Sequence, residues 1–189
     1  MGHSNKISDL STNHQRTVRR LWNEKPVSVD AITGLFQTIE NKFYRQHPEL
    51  IGQASDWSKP TNQINYAPLP GRLKPYPDPK ELLNESTQAV DIHVERGTRL
   101  KGTRAGIHVH KSGGITFVMR GKGGITDFVD GLTNSFNPGG HYYYMPANTI
   151  MSAANFSSDN VKLMDLFITP SGQPMITVLE PGYPGYTPS

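Results

Sequence analysis

The chain has 189 residues, a formal net charge of +3, 35% hydrophobic residues, 18 glycines, 15 prolines and no cysteine. That length suits one domain with an extension, and the Gly and Pro content points to turns rather than disorder. Disulfides and thiolate metal sites are excluded, no apolar run reaches the roughly 18 residues of a membrane span, and no nucleic-acid motif is present.

The opening Met1-Gly2-His3-Ser4 lacks the apolar stretch of a secretory signal, which leaves a cytoplasmic or a processed periplasmic location open. Residues 12–24 read as a helix, with Thr12 and Gln15 as a capping box and Val18, Leu21 and Trp22 on one face. Its strip of Arg16, Arg19 and Arg20 reads as a solvated face before it reads as a site for an anionic partner. Pro26 ends this helix. A second is expected over about 31–44, where Ile32, Leu35, Phe36, Ile39 and Phe43 recur at helical spacing behind a cap at Ser28 or Asp30. The stripe suits packing on the main domain or on a second subunit.

Seven prolines between Pro48 and Pro79 break periodic structure, so residues 46–80 read as an extended arm wrapped on the domain. A short helical turn is expected at Lys80–Asn84. From about Thr87 the period changes to two, with Val90, Ile92 and Val94 alternating with Asp91, His93 and Glu95. Strands are expected over about 105–110, 115–120, 124–129, 141–146, 150–155, 161–168 and 175–179, separated by Gly-rich turns. Many short strands of this kind argue for a sandwich or a closed barrel. The expected organisation is an N-terminal extension over 1–87, a barrel over 88–180 and an extended tail over 181–189.

The residues that carry chemistry centre on His108-Val109-His110. Side chains two apart on a strand point to one face, so two imidazoles can meet one ion. Gly102 precedes the pair by six residues and Gly121 closes the segment, while Gly140, Pro146 and Asn155 recur beyond it with fixed spacing. This framework resembles the paired signatures of the cupin superfamily: Gly, five residues, His-x-His, three or four residues, Glu, six residues, Gly; then Gly, five residues, Pro-x-Gly, two residues, His, three residues, Asn. The resemblance covers about residues 88–170 and implies a mainly β fold, the cupin-type double-stranded β-helix or jelly-roll barrel. Two of the four usual ligand positions depart from it. The Glu position is Gly114 and the second-motif His is Met151; the second-motif Gly is Asn148.

His108, His110 and Met151 form a soft, neutral set that suits copper, above all Cu(I), with iron or manganese as alternatives. Met151 as filler of an apolar interior is the competing reading. Gly114 supplies no ligand, which either leaves an open coordination position or marks a degenerate site. Tyr143 and His141 are the candidate acid/base residues, since alternate members of Tyr142-Tyr143-Tyr144 face opposite ways. Asp91, His93 and Glu95 share a face that is either solvent or barrel interior. Arg96, Arg104 and Arg120 are candidates to clamp a carboxylate substrate. Gly121-Lys122-Gly123-Gly124 lies between strands and is no phosphate cradle. The resemblance implies a metal-binding cupin that converts a small organic molecule, oxygenation ahead of lyase or isomerase chemistry. The alternatives are a non-enzymatic copper or small-ligand binder and a metal-free structural cupin. A homodimer is expected, with neither nucleic acid nor membrane as partner.

Overall fold

The computed structural model describes residues 5–188; the opening Met1-Gly2-His3-Ser4, on which the absence of a signal was read, lies outside them. Helix α1 spans Thr12–Trp22 and α2 spans Val29–Gln46. The cap of α1 is Ser11, whose hydroxyl accepts from the His14 amide, and not Thr12. Gln15 turns back to the Ser8 and Leu10 carbonyls, so no capping box forms. Ser28 caps α2.

Three two-residue strands punctuate the arm: β1 (Gln63–Ile64), β2 (Ala67–Pro68) and β3 (Arg72–Leu73). Then follow β4 (Lys80–Ser86), β5 (Val90–Arg99), β6 (Thr103–Arg104), β7 (His108–Val109), β8 (Gly114–Arg120), β9 (Gly124–Val129), β10 (Ser135–Pro138), β11 (Tyr142–Met145), β12 (Met151–Ala154), β13 (Val161–Pro170) and β14 (Thr177–Val178). The expected helical turn at Lys80–Asn84 is the strand β4, because Glu81, Leu83 and Asn84 find partners along the edge of β5. Strand β10 escaped the sequence reading because Pro138 ends it. Pro is tolerated there because β10 is an edge strand.

One sheet has the order β11-β8-β13-β5-β4 and the other runs β10-β9-β12-β6-β3, with β7 joined to β12 and β14. From β5 onward the chain passes back and forth between the two sheets, with β6–β7 and β9–β10 as the successive pairs that stay in one. This interleaving is the jelly roll. The turns obey the motif framework. Gly121 adopts φ +131, open to glycine alone, and Asn148 takes φ +53, a left-handed conformation that Asn tolerates where the cupin signature has Gly.

Strand alternation divides the first sheet into two faces. Ile92, Val94, Ile115, Phe117, Tyr142, Tyr144, Met164 and Leu166 point outward, where Val18 and Leu21 of α1 and Ile32, Leu35, Phe36 and Ile39 of α2 cover them. The apolar stripes of both helices are thus spent on this chain's own barrel. Each large side chain buried there contributes about 1.5–3 kcal/mol. The inward face is left for the site.

Candidate metal centre

His108 stands on β7 and His110 just beyond it, and both rings are buried. Nδ1 of His108 donates to the Gly106 carbonyl at 2.6 Å, and Nδ1 of His110 donates to the Met175 carbonyl at 2.7 Å. A carbonyl only accepts, so Nδ1 carries the proton in each neutral ring and Nε2 carries the lone pair. The two Nε2 atoms face each other at 3.0 Å. Burial lowers the pKa of His108 to about 4 and that of His110 to about 3, the charge of Arg99 also opposing ionisation of His108 and that of His108 opposing ionisation of His110. Near neutral pH two lone pairs therefore converge with no hydrogen between them. Two nitrogens each about 2.0–2.1 Å from one ion stand about 2.9–3.4 Å apart for angles between square and tetrahedral. The donor pair fits one transition-metal ion, and backbone carbonyls fix both tautomers as outer-shell partners do in metal sites.

Met151 lies directly opposite His108 in the β12–β7 ladder and its side chain lines the same cavity. Opposed residues share a face. Met151 also packs with Val129, Ala153 and Leu163, so the packing role and the place beside the histidines coexist. Among the described residues no cluster of three His, Cys, Asp or Glu side chains is able to hold a metal. Of the side chains put forward as ligands, the Met151 thioether is the remaining candidate for a third donor.

Gly114 does not leave an empty position. A Cβ there would lie 2.5 Å from the Phe167 ring and 2.8 Å from the Met145 methyl. Phe167 fills the space of the missing carboxylate and lies 4.7 Å, centroid to centroid, from His110.

The cavity measures about 260 Å³ and lies between the two sheets. Two aromatic rings from outside the barrel border it, each seated where a glycine has no side chain. Tyr76 of the arm lies on Gly97, where a Cβ would come within 2.2 Å, and Tyr183 of the tail lies on Gly106, where it would come within 2.5 Å. The tail is fastened by a buried bidentate pair, Arg104 to Glu180 at 2.6 and 2.7 Å, with the Ile107 amide donating to the same carboxylate at 2.8 Å.

Of the acid/base candidates, Tyr143 lines the cavity and His141 does not. Tyr142 and Tyr144 face the helices, the Tyr144 hydroxyl donating to Glu40 at 2.9 Å. Burial, then the charges of Asp127 and Asp165, holds the Tyr143 phenol well above its ordinary range. His141 shares parity with Tyr143 but precedes the strand. The Gly140 turn and a bridge to Lys6 hold it at the rim. The face of Asp91, His93 and Glu95 is the inner one, and only Glu95 of the three reaches the cavity. Asp91 sits at the open end, accepting from the Gly172 amide.

None of the three proposed substrate arginines is in place. Arg104 is consumed by Glu180, Arg96 stacks over Trp22 outside the sheet and Arg120 is exposed. The cavity's cation is Arg99, which sequence reading passed over. It is buried, lies 4.5 Å from the centroid of the Tyr76 ring and donates to the Lys74 carbonyl. Its parity with Glu95 was the available signal. Asp165 was missed as well, because it interrupts an apolar run. Burial raises its pKa, against the Thr116 and Tyr76 hydroxyls, which donate to its two oxygens at 2.6 and 3.0 Å.

No protein-family model matches the chain, and no curated protein does. Solved structures do. A cupin-2 domain protein from Shewanella frigidimarina is 15% identical over 52% of this chain and 84% of its own, with a TM-score of 0.39. A cupin domain from Bordetella pertussis is 19% identical over 52% of this chain and 99% of its own, with a TM-score of 0.38. AerE from Microcystis aeruginosa is 15% identical with a TM-score of 0.38, and the match spans 45% of its length. Similarity of this degree says nothing of activity. The motif spacing and the strand order together make the fold a cupin-type jelly-roll barrel.

Proposed function

We propose that this barrel binds one soft transition-metal ion, copper first, on Nε2 of His108 and His110 beside the Met151 thioether, and converts a small organic molecule in the adjoining cavity. The observation that supports it is the pair of Nε2 lone pairs converging at 3.0 Å while both Nδ1 protons are held by backbone carbonyls. With no carboxylate in the set, the ligands are neutral and soft, which favours Cu(I) over manganese and the hard cations. A metal held there would polarise a bound oxygen or exchange electrons with substrate. The chain's own residues do the rest. Phe167 and Met145 keep the His110 side apolar, Tyr76 and Tyr183 restrict entry of water, and Arg99 offers a fixed positive charge to an anionic group. A volume of about 260 Å³ is smaller than the roughly 300–1,000 Å³ of drug-sized sites, so the substrate is a small metabolite.

The test is metal analysis of untagged protein purified without chelating resin, then after reconstitution with Cu(I), Cu(II), Fe(II) and Mn(II). One equivalent of metal, lost in His108→Ala/His110→Ala, is expected. Folded protein that takes up none under any condition refutes the reading.

A further inference from the structure

The inner face of the first sheet carries a transverse polar row. Glu81 pairs with Glu95, Glu95 with Asp165, Asp165 with Thr116 and Thr116 with Tyr143, each directly across from the next through β4, β5, β13, β8 and β11. Four of these five, Glu95 to Tyr143, line the cavity that also holds His108 and His110. The histidines belong to the opposite sheet, so a molecule in the cavity lies between a metal-binding wall and an acid/base wall.

We propose that Glu95 is the proton-transfer residue of this cavity, and that its substrate is a small molecule with a C–H bond acidified by an adjacent carbonyl or carboxylate. The inference rests on the reading of the barrel as a small-molecule site, and it names the substrate class. Every other group in the row is committed. Both Asp165 oxygens accept hydrogen bonds, from Thr116 and Tyr76. Tyr143 is buried against Asp127 and Asp165, which disfavours its phenolate. Glu81 is exposed at the sheet edge.

Glu95 is placed differently. It is partly buried at the cavity wall, directly opposite a carboxylate on either side, Asp165 on β13 and Glu81 on β4. Like charges across a ladder disfavour joint ionisation. Burial, then Asp165, then Glu81, brings its carboxyl up to about 7, where it takes and returns protons readily. Arg99, on the same strand and the same face, lines the cavity as a permanent cation suited to an anionic oxygen. The charged and titratable groups that share the wall with Glu95 are therefore Glu81, Arg99, Asp165, Tyr76 and Tyr143, with His108 and His110 opposite.

The step balances without a co-reactant. The substrate C–H bond breaks and the proton forms an O–H bond on Glu95. The electron pair moves onto the neighbouring carbonyl oxygen as an enolate, and return of the proton restores the C–H bond. Placing the proton on a different carbon gives isomerisation, and expelling a leaving group gives elimination. This orders isomerase and lyase chemistry ahead of oxygenation.

The test follows solvent deuterium into pyruvate and levulinate by proton NMR. Wild type, Glu95→Gln, Glu95→Asp and the exposed control Glu85→Gln are compared, each metal-free and copper-loaded. Wild type is expected to exchange above the buffer rate, Glu85→Gln to match it, and Glu95→Gln to lose at least about 100-fold. Glu95→Asp, which keeps a carboxyl, retains measurable exchange, and thermal melting confirms that each variant folds. In parallel, the labelled Glu95 carboxyl titrates above the protein's other glutamates in carbon NMR and falls back in Asp165→Asn. Exchange that survives Glu95→Gln overturns the proposal, as does no wild-type exchange on either probe or a Glu95 that titrates with the rest. Glu95-dependent exchange in a protein that binds no metal supports it while refuting the metal reading. Stoichiometric metal with Glu95-independent exchange does the reverse.

Discussion

Replacing Glu180 by Ala should cost more stability than any single change at the metal centre. The substitution deletes an acceptor that takes two bonds from Arg104 and one from the Ile107 amide, all at 2.6–2.8 Å. Arg104 and Glu180 are each 6% exposed, and after the change Arg104 keeps only the Ala105 carbonyl. An uncompensated buried charge costs about 3–5 kcal/mol, and an orphaned amide about 1–3 kcal/mol, the two overlapping in part. A net loss of about 4 kcal/mol corresponds to a fall of about 8–16 °C in Tm for a chain of this size. Arg104→Met/Glu180→Met removes both charges and orphans only the amide, so it should recover to within about 2 kcal/mol of wild type. Urea unfolding followed by tryptophan fluorescence, with calorimetry for Tm, measures all three proteins. A loss below about 1 kcal/mol in Glu180→Ala, or a double variant weaker than the single one, would refute the argument that the pair is paid for by mutual compensation.

Gly114→Glu should fail to create a carboxylate ligand on its own, because the Phe167 ring occupies the space. Gly114→Glu/Phe167→Ala/Met151→His should shift competitive metal binding from copper towards iron or manganese, and an unchanged ratio counts against the assigned geometry. Met151→Leu should lower Cu(I) affinity in a reducing competition assay while costing less than about 1.5 kcal/mol in urea unfolding; unchanged affinity would make Met151 packing alone. In metal-free protein, His108 and His110 have folded pKa values of about 4 and 3 against an ordinary 6.5. Their contribution is complete above pH 6.5 and is lost as pH falls, so His108→Asn/His110→Asn should flatten the acid limb of the stability curve. Glu95 has the opposite sign: its pKa of about 7 lies above the ordinary 4.5, so its contribution is complete below pH 4.5 and lost as pH rises through 7. Glu95→Gln should therefore stabilise more at pH 8 than at pH 5 in urea titrations, and equal effects at both would contradict the burial of this carboxyl.

The barrel was legible because strand alternation and turn glycines are local signals: the alternation over 90–95 is part of β5, and six of the seven strands expected from residue 105 onward lie where the periodicity put them. The seventh, over 105–110, is interrupted: β6 and β7 flank Ala105–Ile107, where backbone groups bond Ala153, Glu180 and Leu179 instead of a continuous ladder. That His108 and His110 share one face was legible for the same local reason. What stayed hidden depends on segments remote in sequence. Nothing near Arg104 announces Glu180, and nothing near Gly114 announces Phe167. Residues 91–95 settle their own alternation but not which face the helices cover. That choice is made by α1 and α2, whose apolar stripes take Ile92 and Val94 and so turn Glu95 inward.

The two tyrosines seated on glycines bear on how anything enters the cavity. Their rings belong to the arm, which meets the barrel through the two-residue pairing of β3 and the Tyr76–Asp165 bond, and to the tail beyond Glu180, whose pair with Arg104 anchors only the root of that tail beside β14. The walls behind them are ladders of up to ten paired residues. Backbone amides of Arg72, Leu73, Lys74, Tyr76, Tyr183, Gly185 and Tyr186 should therefore exchange with solvent through local opening long before those of β5 and β13, which wait for global unfolding. Ligand uptake would then be timed by the detachment of two short segments, and a small molecule would be admitted at a rate unrelated to how stable the barrel is.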